Sequence, residues 1–147
     1  MNDTMVKEVK EFLDTIFSIE TEKIELYIEA LTHGSNGSPN NKRLAFLGDS
    51  VLRLIIREHY FREHPDWDAG RLTDKSKIVD SHENFARIAI TLEILDYIKF
   101  GKTYDNRQKD KDIPTIKEEV FEALFGAIYL DQDLEKATEI AKKLRII

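Results

Sequence analysis

Apolar residues recur along this chain at steps of three and four, the period of an amphipathic helix. Val6, Val9, Phe12, Leu13, Ile16 and Phe17 share one such face, and Ile24, Tyr27, Ile28 and Leu31 share another. Residues 34–41, made of Gly, Ser, Asn and Pro, predict a loop. A long helix is expected next, from about residue 42 to about residue 64, where Pro65 ends it. Its buried stripe is Leu44, Leu47, Gly48, Val51, Leu52, Ile55 and Ile56. Residues 67–70 read as a second break, residues 72–79 as a short helix, and Phe85, Ile88, Ala89 and Leu92 as the face of another. Residues 101–114 are polar and charged and predict a loop. Thr115 followed by Glu118 has the spacing of a capping box, opening a helix to about Leu130. That helix is apolar on most sides, so it should be central. Leu134, Ala137, Ile140, Ala141 and Leu144 give a final helix. No segment alternates with a strand's period. The expectation is an all-α fold, one domain over residues 1–147.

Composition narrows the chemistry. Hydrophobic residues make up 41% and charged residues 34%, the balance of a globular domain. There is no cysteine, which excludes disulfides and thiolate metal sites. No apolar run approaches the roughly 20 residues of a membrane span. The polar N-terminus does not read as a signal peptide, so a cytoplasmic location is expected. The net charge of −6 argues against a nucleic-acid partner, but acids gathered at a metal centre would count in that sum and be neutralised by the cation.

Two segments place carboxylates inside apolar helical patterns: Asp49 in the run from Arg43 to Leu52, and Glu119 and Glu122 in the run from Glu119 to Asp131. Unpaired charge is costly in an apolar setting. Glu119 and Glu122, three apart, share a helix face. Gly48 and Gly126 each cost their helix about 1 kcal/mol relative to Ala, which suits a close crossing that brings Asp49 towards Glu122. The acids could then pool around a hard divalent cation. The alternative is that they lie on solvated faces. The histidines His33, His59, His64 and His82 read as capping, hydrogen-bonded or exposed residues rather than ligands.

Three stretches carry a resemblance. Residues 30–35, the motif Asn41-Lys42-Arg43-Leu44-Ala45-Phe46-Leu47-Gly48-Asp49-Ser50, and Phe121-Glu122-Ala123-Leu124 through Asp131 together resemble the ribonuclease III catalytic domain in order and separation. Residues 72–79 and 84–89 look like its intervening helices. The resemblance implies an all-helical endonuclease domain that dimerises across a valley holding double-stranded RNA. It implies acids that bind Mg²⁺, with Mn²⁺ able to substitute. It also implies in-line attack of water on phosphorus, leaving a 5′-phosphate and a 3′-hydroxyl. Asp49, Glu122 and Glu119 would be the metal ligands and catalytic acids. Phe46 would lie at the dimer interface, since it and Leu44 cannot both face one core.

The motif also departs from the family. The longer bacterial enzymes have a glutamate where this chain has Ala45, an acid where it has Lys42, and an aspartate where it has Glu119. The missing acid implies a centre one ligand short and impaired activity. The alternative function is therefore a module that binds structured RNA without cutting it; a third reading is a helical scaffold. Against this, the stand-alone mini-ribonuclease III enzymes, which cleave, also carry alanine at that position, and Lys75 to Val79 resembles their pattern. The residues after Leu130 are too few for a double-stranded-RNA-binding domain. Phosphate contacts would then fall to Lys75, Lys77, Arg53, Arg57 and Lys109. The expectation is a Mg²⁺-dependent, double-strand-specific endoribonuclease acting as a homodimer.

Overall fold

The computed structural model describes residues 2–147, with side chains for all of these except residues 106–110. Among the described residues seven α-helices follow one another: α1 (Asp3–Phe17), α2 (Ile24–Ala30), α3 (Lys42–Glu63), α4 (Ala69–Val79), α5 (His82–Thr91), α6 (Asn106–Asp131) and α7 (Leu134–Lys143). The only strand-like pairing among the described residues is one parallel bridge between Thr32 and Lys99. It ties the loop before α3 to the loop before α6.

Helix starts follow local chemistry. Asp68 accepts from Arg71 N at 2.8 Å, Ser81 from Asn84 N at 3.1 Å, and Asp133 from Lys136 N at 2.7 Å. Each side chain satisfies an amide that the first helical turn leaves open. The Asp68 cap explains why α4 begins at Ala69, so that Gly70 lies inside a helix rather than in a break.

The largest departure from expectation is at α6. Residues 106–114 are not a loop: the helix begins at Asn106 and carries Pro114 in its interior. Pro114 forfeits one backbone hydrogen bond, a cost eased where the chain is exposed, as here. Thr115 and Glu118 are therefore mid-helix residues and form no capping box.

Every residue from Val120 to Ile128 is buried, so this stretch of α6 is enclosed on all sides. Its most extensive partner is α3, which turns Leu44, Ala45, Gly48, Val51, Leu52, Ile55 and Ile56 inward. Leu47, expected in that stripe, is only half-buried. α1, α2, α5 and α7 close around this pair through Phe12, Leu13, Tyr27, Phe85 and Ile140. No helix among the described residues is long and apolar enough to cross a membrane.

Candidate metal centre

The α3/α6 crossing is closer than side chains allow. A Cβ on Gly48 would stand 1.6 Å from the carbonyl oxygen of Glu122 and 2.9 Å from the amide nitrogen of Gly126. A Cβ on Gly126 would stand 2.4 Å from the carbonyl oxygen of Leu44. The two glycines occupy the crossing because no other residue fits there.

Beside this crossing opens a cleft of about 460 Å³. Asp49 enters it from α3; Glu118, Glu119 and Glu122 enter from α6; His82 enters from the first turn of α5. The cations around them sort the acids. Arg53 Nε donates to both carboxylate oxygens of Asp49, at 3.1 and 3.0 Å. Lys42 Nζ pairs with Glu119 Oε1 at 2.7 Å. His82 Nδ1 is in close contact with Glu118 Oε1.

Glu122 differs from these. It is nine-tenths buried, and its Oε1 has no hydrogen-bond partner. Burial pushes its pKa up to about 8, and the neighbouring charges of Asp49 and Glu118 push the same way, while Arg53 opposes them. A buried carboxylate with a vacant acceptor and acidic neighbours is the electrostatic complement of a cation. One ligand atom each from His82, Glu118 and Glu122 lie within 4.8 Å of one another. This His/Glu cluster is compatible with divalent-metal coordination.

The cluster corrects the expectation that Ala45 leaves the centre an acid short and the activity impaired. Ala45 does line the cleft, but the glutamates Glu118 and Glu122 are both present and, with His82, form a three-donor group that could hold a metal ion. Both added donors escaped sequence reasoning. Glu118 lies one helical turn before Glu122, and that spacing would have found it had it not been assigned to a cap. His82 meets Glu118 across 36 positions, which no local pattern reveals.

Arg53 and Arg57 converge on Asp80, which is 3% exposed, at 3.3 and 3.6 Å. Arg53 thus joins a buried acid on one side to Asp49 on the other. Lys75 and Lys77 are exposed on α4, and Lys75 Nζ sits 5.7 Å from the centre of the Tyr60 ring. Lys109 lies outside the residues whose side chains are described. Phe46, at the cleft's edge, is 82% exposed. His33 caps the turn at Gly34–Asn36, accepting from Ser35 N at 3.1 Å, and His64 stacks on Trp67 at 3.6 Å. Neither belongs to the cleft.

Fold and site together define an all-helical domain with an acid-lined cleft suited to a divalent cation. A family profile described as "Ribonuclease-III-like" matches residues 23–146. Ribonuclease 3 of Nitratiruptor sp. is 40% identical over 141 residues, covering 95% of this chain and 61% of that protein. Ribonuclease 3 of Pelotomaculum thermopropionicum is 42% identical over 125 residues, covering 80% of this chain and 52% of that protein. The solved nuclease domain of ribonuclease III from Campylobacter jejuni superposes with a TM-score of 0.82 at 33% identity, covering 91% of this chain and 94% of that one. The chain belongs to the ribonuclease III family and has its all-α nuclease-domain fold. It spans 61% and 52% of the length of the two curated relatives just described.

Proposed function

We propose that this domain is a Mg²⁺-dependent endoribonuclease that cuts double-stranded RNA to 5′-phosphate and 3′-hydroxyl ends as a homodimer, with Mn²⁺ able to replace Mg²⁺. The observation that carries this reading is the buried, unpartnered Oε1 of Glu122 in the cleft that Asp49 also lines. Asp49 and Glu122 would hold the cation. Glu119, now held by Lys42 at 2.7 Å, would join them directly or through a water. Bound there, the cation would supply activation of a water nucleophile and charge neutralisation at the phosphate.

The protein's own groups do the rest. Arg53 keeps the Asp49 carboxylate turned along α3. Lys75, Lys77, Arg57, Arg53 and Lys109 are the proposed phosphate contacts. Contacts of this kind position an A-form duplex by its backbone and give little base specificity.

The dimer reading rests on α3. Phe46, Leu54 and Phe61 are exposed at 82%, 51% and 67%. At about 100° per residue they fall within about 80° of one another around the helix. An apolar stripe of that kind on a helix already packed on its other side suits a two-fold contact with a second copy.

The test is incubation of a long RNA duplex with the protein in Mg²⁺ and in chelator. Cleavage in Mg²⁺ alone, with ends that ligase accepts without kinase treatment, is the expected result. Duplex left intact in both would refute the assignment.

A further inference from the structure

His82 lies where a ligand would be needed and where the sequence gives no reason to put one. Ser81 caps α5, so the helix opens at His82 and projects the imidazole from its first turn. α5 packs against α6, bringing His82 Nδ1 against Glu118 Oε1. Glu118 and Glu122 stand on successive turns of one face of α6. The three donor atoms lie within 4.8 Å of one another. In an octahedron with metal–ligand bonds of about 2.1 Å, neighbouring donors are about 3 Å apart and opposite donors about 4.2 Å. The span of the group is close to that of such a shell. Independently, Glu122 Oε1 is buried in the same cleft with no partner, an acceptor that the protein itself leaves vacant.

We propose that His82 ligates the cation of this cleft together with Glu118 and Glu122, so that the centre binds Mn²⁺-class cations more tightly, relative to Mg²⁺, than an all-oxygen site would. The proposal rests on the reading of the cleft as a cation centre and adds the identity of a nitrogen donor. Mg²⁺ is hard and keeps to oxygen and water, whereas imidazole suits first-row transition metals. One nitrogen among carboxylates therefore shifts preference without excluding Mg²⁺. Glu122 is common to this group and to the pair with Asp49. His82 is exposed, so replacing it removes little packing.

Mn²⁺ bound to the apo-protein can be read directly, without any RNA. Pulsed electron paramagnetic resonance should show ¹⁴N modulation from a directly bonded nitrogen, and that modulation should vanish in His82→Gln and His82→Ala. Titration of the free Mn²⁺ signal should show weaker Mn²⁺ binding in both variants, by roughly tenfold or more. Mg²⁺ competition should change less, so the Mn²⁺/Mg²⁺ preference should fall. Mn²⁺ binding with no ¹⁴N coupling, or with coupling and affinity unchanged in both variants, would overturn the role of His82 and leave the acidic centre standing. A wild-type protein that binds neither Mn²⁺ nor Mg²⁺ would overturn the centre itself.

Discussion

Gly48 and Glu122 touch through their backbones: a single added carbon on Gly48 would come within 1.6 Å of the Glu122 carbonyl oxygen. Asp49 is the next residue along α3, and the Glu122 side chain leaves α6 from the same point of contact. The packing that demands glycine is therefore also what sets the two acids beside one cleft. Fold and site share one constraint.

Gly48→Ala should accordingly damage both. The obstruction is backbone, which cannot swing aside, so α3 must move off α6. A loss of more than about 3 kcal/mol is expected, as for severe overpacking. Thermal denaturation should show a large fall in midpoint or no folded protein. Gly126→Ala should act the same way, since its Cβ would meet the Leu44 carbonyl at 2.4 Å. A variant at Gly48 with unchanged stability would contradict the crossing geometry.

The raised pKa of Glu122 makes a pH prediction for the metal-free protein. Its folded value, about 8, lies above the ordinary 4.5 because of burial first and then Asp49 and Glu118. The fold therefore favours the protonated form. Its stabilising effect is complete below the unfolded pKa and is lost as pH rises from about 4.5 to about 8. In chelator, wild type should lose on the order of 2–4 kcal/mol across that window. Glu122→Gln should flatten this slope and abolish cleavage while leaving RNA binding largely intact. Melting curves at pH 5 to 9 would check the first point and duplex assays the second.

Asp80 offers a separate test of stability. It is 3% exposed and holds both Arg53 and Arg57. Asparagine there keeps the shape but loses the charge-assisted pairing of the buried carboxylate with Arg53, a loss of about 1.5–3 kcal/mol. Asp80→Asn should cost that much in chemical denaturation. Arg57→Gln should cost less, because Arg53 remains and Arg57 is largely exposed.

At the far end of α6, Tyr27 Oη donates to Asp131 at 2.5 Å and fastens α2 to the last turn of the central helix. Burial pushes Asp131 up, but hydrogen bonds from Tyr27, Gln132 and Thr21 outweigh it and hold its pKa below the ordinary 3.8. A depressed carboxylate stabilises the fold above its unfolded pKa, and that contribution is lost as pH falls through the folded value. Tyr27→Phe should cost about 1–2 kcal/mol near neutrality. The difference from wild type should shrink as pH falls below the ordinary carboxylate value of 3.8. A constant difference down to pH 2 would show that the Asp131 charge is not involved.

Much of this architecture could be read from the sequence because it depends on local periodicity. The stripe from Leu44 to Ile56 and the glycines at 48 and 126 point to a long helix crossing another closely, and the structure has that crossing. The start of α6 could not be read this way, because Pro114 and the polar run before it imitate a loop. The same error hid Glu118, since a residue assigned to a cap is not sought as a ligand. His82 was out of reach for a different reason. Its partner lies 36 positions away, and exposed histidines are common. The acids within the family motif were legible, while the donors supplied by helix packing were not.

Phe46 is 82% exposed at the edge of the cleft, and Leu54 and Phe61 continue its stripe along α3. It borders a groove whose apolar floor is Leu26, Leu44, Leu47 and Leu130 and whose rim is Glu29, Lys42 and Arg43. Burying a phenylalanine is worth about 1.5–3 kcal/mol, and a two-fold contact counts it twice. Phe46→Glu places a charge in each half of that proposed contact and should yield a monomer at micromolar concentration in sedimentation, where wild type is expected to sediment as a dimer. An unaltered circular dichroism spectrum is expected, because the side chain contributes little to the protomer's own core. Duplex cleavage should fall sharply in the same variant, since the proposed dimer would set one cleft against each strand. A Phe46→Glu protein that sediments as a dimer would place the interface elsewhere. A monomer that still cuts both strands at the wild-type rate would show that the cleft works alone.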